Sequence, residues 1–242
     1  MSIAEKLQII AENEEKVFEA GKKSQYDEFW DNYQQNGNRI DYQNAFSGKG
    51  WTKETFKPKY DIRPNNAYML FRWNQVEVDL VEWFDELGII FDDSNIGKNV
   101  QYMYFCSKFT RIGTITLTGA TNGTGDMLNS CEKLRTIDKI LSAEATVYSN
   151  SNFLGCKALE NITFEGIIGS NINFKDSSKL TKVSIESIVN ALSTNTTNLT
   201  ATLSLAAVKK AFETSSGAND GNTSVEWLNL KASKSNWTIT LS

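Results

Sequence analysis

The residues best equipped for chemistry in this chain are three cysteines, Cys106, Cys131 and Cys156, separated by two equal intervals of 25 residues. Thiols at fixed spacing suggest a thiolate metal site, a disulfide or a redox group. None of the three sits in a C-x-x-C pair, and an odd count with no disulfide-rich composition around it points to free thiols. The chain of 242 residues contains no histidine. That single count removes Ser-His-Asp and Cys-His nucleophiles, H-E-x-x-H zinc sites and imidazole general bases together.

Other constellations are weaker. "DDSNIGKNV" offers Asp93 and Asn95 to calcium, but Gly97 stands where a ligand is wanted and Tyr104 where the bidentate glutamate belongs. "DGNTSV" offers Asp220, Asn222 and Ser224, with Val225 and Lys231 in the glycine and glutamate places, so neither loop is an EF-hand. "TGATNGTGD" lacks the G-K-[ST] ending of a phosphate loop and "SGKGWTKETF" lacks its setting, so both read as turns. The carboxylates Asp79, Glu82, Asp85, Glu86, Asp92 and Asp93 could supply a glycosidase-like pair, but their spacing reads as a solvated helical face and a following turn.

The bulk numbers narrow the classes further. With 40% hydrophobic residues the chain can bury a substantial core. A net charge of −4 without long runs of one sign gives no electrostatic basis for binding nucleic acid. No stretch approaches about 18 consecutive apolar residues, so no membrane span is expected. The opening "SIAEKLQIIAENEEKVF" lacks a signal-peptide profile, so no export signal is expected.

What must position the cysteines is a repeat. The segments MYFCSKFTRIGTI, LNSCEKLRTIDKI and FLGCKALENITFE share an apolar residue three before Cys (Met103, Leu128, Phe153) and another three after (Phe109, Leu134, Leu159). An isoleucine follows six after (Ile112, Ile137, Ile162). A degenerate copy, "FKDSSKLTKVSI", places Ser177 at the cysteine position with Leu180 and Val183 in the apolar frame, and "LFRWNQV" is a plausible opening copy. A period of 20 to 29 residues is the mark of a stack of coils, each burying its apolar face against its neighbours. The cysteines then form a buried column about 4.8 Å apart, which is a line rather than the tetrahedron a metal wants. Parallel stacked side chains also hold their Cβ atoms wider than the roughly 3.8 Å a disulfide prefers.

The order F/L-x-x-C-x-x-L-x-x-I resembles the BspA-type (Treponema-type) leucine-rich repeat of bacterial surface proteins and of gut bacteria and their phages. The resemblance covers about residues 69 to 185, and the segment from Ser204 to Ile239 is similar to regions that follow such repeats. The proline often found after the isoleucine strand is missing here, and the coils are unequal. The resemblance implies binding or adhesion rather than catalysis.

The flanks differ in character. Ser2 and Glu5 form a capping box ahead of Ile3, Leu7, Ile10 and Val17 on one stripe, predicting a helix from about Ile3 to Ala20 that could oligomerise or attach the chain. "SQYDEFWDNYQ" reads as a second helical stretch. Eleven aromatics lie between Phe29 and Trp73, either a sugar-stacking face, for which Tyr42, Trp51, Tyr60 and Trp73 are the candidate ligand contacts, or an end cap. Beyond the repeats, Ser184 is placed to cap "IESIVNAL", "NLTATLSL" and "NWTITLS" alternate like strands, and "LAAVKKAF" and "SVEWLNLKA" read as short helices.

The expectation is therefore an α/β chain built as an irregular leucine-rich-repeat solenoid, with short parallel strands stacked once per coil. Residues 1–35 would form an N-terminal helical attachment element, 36–68 an aromatic-rich cap, 69–185 the solenoid and 186–242 an α/β cap. No catalytic residue, cofactor or metal is expected. The expected role is non-enzymatic recognition of a protein or glycan on a bacterial surface or phage particle. The alternatives are a structural subunit of a phage tail or other surface assembly docked, or homo-oligomerised, through the N-terminal helix, and more distantly a carbohydrate-active enzyme.

Overall fold

A computed structural model describes residues 40–41, 44–58, 60–93, 99–120 and 123–242, and helical positions 3, 6, 8–10, 12 and 13 near the N-terminus. The remainder of the expected helix from Ile3 to Ala20, the stretch "SQYDEFWDNYQ", Tyr42, Asn95 and Gly97 lie outside the described residues.

Strands β1 (Ile40–Asp41) and β2 (Pro64–Asn66) make a short parallel pair. Helix α1 (Leu80–Glu86) follows, its first amides held by the Asp79 carboxylate, which accepts from Val81 N and Glu82 N at 3.0 Å. Next come β3 (Arg111–Thr116), β4 (Thr136–Ser142) and β5 (Asn161–Gly166), a parallel sheet in that order. Ile112 pairs with Ile137 and Ile137 with Ile162, so the 25-residue interval is the register of this sheet. A second parallel sheet contains β6 (Ile172–Phe174), β7 (Leu199–Leu203) and β8 (Trp237–Leu241). Helix α2 (Lys182–Ala191) links β6 to β7, and α3 (Leu205–Ala211) and α4 (Val225–Ala232) link β7 to β8.

The expected solenoid is corrected by this arrangement. The chain is α/β, but its parallel strands are divided between two separate three-stranded sheets and do not stack as one leucine-rich-repeat ladder. Two local causes are visible. At the opening copy the slot of a strand is taken by turns and α1. At the fourth copy, Thr181 turns the chain into α2, its hydroxyl accepting from Ser184 N, so the helix begins three residues before the expected Ser184 cap. Helix α2 then closes the exposed edge of β5, with Ser184 Oγ accepting from Ile162 N at 3.0 Å and Ser187 Oγ accepting from Phe164 N at 2.8 Å. Val183, expected in the apolar frame, is consequently 70% exposed, whereas Leu180 stays buried.

The cysteine column is corrected by one residue. Left-handed backbone recurs in pairs at Met69 and Trp73, at Tyr102 and Cys106, and at Asp126 and Ser130, and Gly155 takes the same conformation one copy on. These turns hydrogen-bond to each other: Tyr104 N donates to Met127 O, Cys106 N to Asn129 O and Ser130 N to Leu154 O. Cys106 is thus equivalent to Ser130 and Gly155, and Ser107 takes the buried place beside Cys131 and Cys156. Ser107 Oγ lies 3.6 Å from Cys131 Sγ. The two buried thiols donate backwards, Cys131 to Tyr104 O at 3.0 Å and Cys156 to Leu128 O at 3.2 Å. Cys106 is only half-buried, and all three thiols are free. The other frame residues behave as core: Met103, Phe109, Ile112, Leu128, Leu134, Ile137, Phe153, Leu159 and Ile162 are buried.

Candidate recognition surface

The displaced turn positions carry the most distinctive surface of the molecule. Trp73, at one of these left-handed positions, is 39% exposed. Arg72 beside it lays its guanidinium 3.9 Å above the Trp73 ring and within 5.6 and 5.7 Å of the Tyr102 and Phe105 rings. Tyr102 meets Phe105 and Tyr68 edge to face at 5.6 and 6.1 Å, which extends the strip across successive turns. Arg72 also donates to the Met69 sulfur at 3.2 Å, while its Nε is buried with no hydrogen-bond partner among the described residues. The guanidinium thus lies over the Trp73 ring and near two further rings, and no carboxylate is paired with it among the described ion pairs.

Of the sequence candidates that fall among the described residues, Trp51, Tyr60 and Trp73, only Trp73 belongs to this strip. Trp51 is half-buried and packs edge to face on Phe46 and Phe56 at 5.8 and 5.9 Å, within an aromatic cluster that continues through Phe71 and Phe109. Tyr60 packs against the same core. Trp51 and Tyr60 thus pack against the hydrophobic core, and the residues that join Trp73 are Arg72, Tyr68, Tyr102 and Phe105. The signal that could have found them is the 33-residue offset between Trp73 and Cys106, which also superposes Phe71 on Tyr104 and Arg72 on Phe105.

Cys106 borders the strip. Partial burial raises its thiol above the ordinary range, opposed by hydrogen bonds to Ser130 and to Trp73 and by the Arg72 charge. Cys131 is pushed up to about 12, and Cys156 well above the ordinary range, both chiefly by burial. Such thiols are protonated and inert at neutral pH.

The outer face of the β3-β4-β5 sheet is a different surface, on which charges neutralise each other. Arg111 clasps Asp138 through two bonds of 2.7 and 2.9 Å and reaches Asp79 at 3.7 Å, and Lys139 pairs with Glu165 at 2.6 Å. Of the acidic residues weighed for catalysis, Asp79 is the cap of α1. Asp93, read from sequence as part of a solvated turn, is instead 6% exposed. In the second acidic loop Asp220 accepts from both Thr214 N and Thr214 Oγ1. No group of three or more Cys, Asp or Glu side chains that could hold a metal gathers among the described residues, and no described helix is long and apolar enough to cross a membrane.

No family model, curated protein or solved structure matches this chain. The functional reading therefore rests on the surface itself.

Proposed function

We propose that this chain is a non-enzymatic recognition protein that binds a protein partner through the strip of Tyr68, Arg72, Trp73, Tyr102 and Phe105. One observation carries the reading: an exposed tryptophan, two tyrosines, a phenylalanine and an arginine set over the tryptophan ring are contiguous. Trp, Tyr and Arg are the residue types that dominate interface hot spots, because they bury large area at low entropic cost. Here the guanidinium already packs on Trp73 and donates to the Met69 sulfur, which lowers the ordering cost of association. The resemblance of the repeat frame to bacterial surface proteins supports a binding role.

The test pairs affinity capture, using the whole chain as bait, with a glycan array. A protein recovered by the wild type and lost with Trp73→Ala and Arg72→Ala supports the reading. Saturable glycan binding that depends on Trp73, without a protein partner, would replace it with the sugar-stacking role.

A second role in attachment is favoured by Ile3, Ile9 and Ile10, which lie at helical positions and are exposed. Deleting residues 1–23 and measuring sedimentation tests it: conversion of an oligomer to a monomer supports attachment through this segment, and an unchanged coefficient removes it.

A further inference from the structure

The outer strand of the second sheet has an edge that the chain leaves unused. Ser242 N donates to Leu203 O at 3.0 Å and Leu205 N donates to Ser242 O at 2.9 Å, which fixes the phase of β8 against β7. Backbone groups alternate sides along a strand, so Thr238, Thr240 and Ser242 turn theirs toward β7 while Trp237, Ile239 and Leu241 turn theirs away. Thr200 agrees with this phase, its N–H donating to Asn171 Oδ1 at 2.7 Å on the β6 side of β7. On the outer edge of β8, Trp237 N is held by Lys234 O at 2.9 Å. The N–H groups of Ile239 and Leu241 and the carbonyls of Trp237, Ile239 and Leu241 have no hydrogen-bond partner among the described residues.

Nothing in the sequence blunts this edge. Strand edges are ordinarily protected by charge, proline, a bulge or a covering helix, as α2 covers β5. Strand β8 reads WTITL, without charge or proline, and its register with β7 runs through all five residues without a shift. Its side chains divide between two faces. Trp237 and Ile239 are buried and Leu241 is half-buried on one, while Thr238 and Thr240 are exposed on the other.

We infer that the outer edge of β8 is an interaction surface for a second copy of this chain, the two β8 strands pairing antiparallel about a two-fold axis at Ile239. The free groups match under that symmetry. Ile239 faces its own equivalent and exchanges two N–H···O=C bonds with it, and Leu241 N of each protomer meets Trp237 O of the other. Every free outward amide of β8 is then satisfied, and Trp237 N, which would otherwise extend the ladder, is the one already held by Lys234 O. The side chains match as well. Half-buried Leu241 of one protomer lies opposite the other's Trp237, and Thr238 opposite the other's Thr240, a favourable cross-strand pair with no like charges opposed. This surface is separate from the Arg72–Trp73 strip and from residues 1–23.

Sedimentation equilibrium and backbone amide exchange of the whole chain, across about 5–500 µM, test it. The mass should double with a dissociation constant of about 100 µM or tighter, in keeping with a small contact. In the doubled species the amides of Ile239 and Leu241 should be protected, whereas those of Thr238 and Thr240, bonded to β7, should be protected at every concentration. Leu241→Pro removes an N–H that bonds to nothing inside the protomer, so the fold should survive and the dimer weaken by at least about tenfold. Thr238→Lys with Thr240→Lys, at exposed side chains, should weaken it similarly by opposing like charges, whereas Thr238→Glu with Thr240→Lys sets opposite charges across the axis and should retain it. A monomer at every concentration, a mass unchanged in folded Leu241→Pro and in the double-lysine variant, or fast exchange of Ile239 and Leu241 in the doubled species would overturn the proposal.

Discussion

The one-residue shift of the cysteine column has a direct chemical consequence. Reaction with an aromatic disulfide reagent requires a thiolate that the reagent can reach. For Cys131, held at about 12 against an ordinary 9.0, the thiolate fraction at about pH 8 is on the order of 10⁻⁴ instead of ~0.1, a thousandfold loss before access is considered. Access makes the difference larger. Cys131 and Cys156 are fully buried and bonded to carbonyls of the preceding turn, so they react only when those turns separate. If that needs global unfolding, it costs about 5–15 kcal/mol. Cys106 is half-buried at an outward-turned position and needs no opening. Under native conditions we expect one thiol to react in a fast phase, with the other two following at the rate of unfolding. All three should react at once in denaturant. Cys106→Ser should remove the fast phase and change stability by less than about 0.5 kcal/mol. A fast phase of two or three thiols, or one that survives Cys106→Ser, would refute the assigned register.

Other consequences follow from packing and charge. Leu134→Ala, at a fully buried core site, should cost about 2–5 kcal/mol in chemical denaturation. Gly166→Ala should cost more than about 2 kcal/mol, because its φ is +106° and the new Cβ would lie 1.9 Å from the Ser142 carbonyl oxygen. Ser184→Ala removes both the acceptor for Ile162 N and the donor to Glu160 O, so about 1–3 kcal/mol should be lost and amide exchange at Ile162 should accelerate. Asp93 has a folded pKa above its unfolded value. Its contribution is therefore fully present below the usual Asp range and lost as pH rises through the raised folded value. Asp93→Asn should remove that part of the pH dependence of unfolding above about pH 4, and an unchanged pH profile would contradict the burial argument.

Much of the strand register was readable because it repeats. The isoleucines at 112, 137 and 162 occupy matched rungs of one sheet, and the alternation of "NLTATL" and "NWTITL" marks β7 and β8. What misled was the assumption that a conserved spacing extends through the whole copy. Between its turn and its strand the first cysteine copy is one residue shorter, so Ser107, not Cys106, fills the column, and serine and cysteine are near enough in size for either to pack there. The fourth copy preserved Ser177 and Leu180, but Thr181 and Ser184 together favour a helix start, which moved Val183 to the surface. The recognition strip escaped notice for a related reason. Its members fall in two groups, Tyr68 to Trp73 and Tyr102 to Phe105, 29 residues apart at the nearest, and are brought together by left-handed turns at Met69, Trp73 and Tyr102, and no propensity rule marks Met, Trp or Tyr for that conformation. Asp93 was obscured by its acidic neighbours, because its burial depends on Thr116, 23 residues away.

The central claim is that the Arg72–Trp73 strip is where a protein partner binds. Its most direct test is the dissociation constant of the captured partner for the wild type, for Trp73→Ala and for Val183→Ala, a control at another exposed apolar site. The claim predicts at least about a tenfold weaker complex for Trp73→Ala, equivalent to ~1.4 kcal/mol, with Val183→Ala unchanged. Equal affinity for Trp73→Ala and the wild type, with the variant folded, would contradict it.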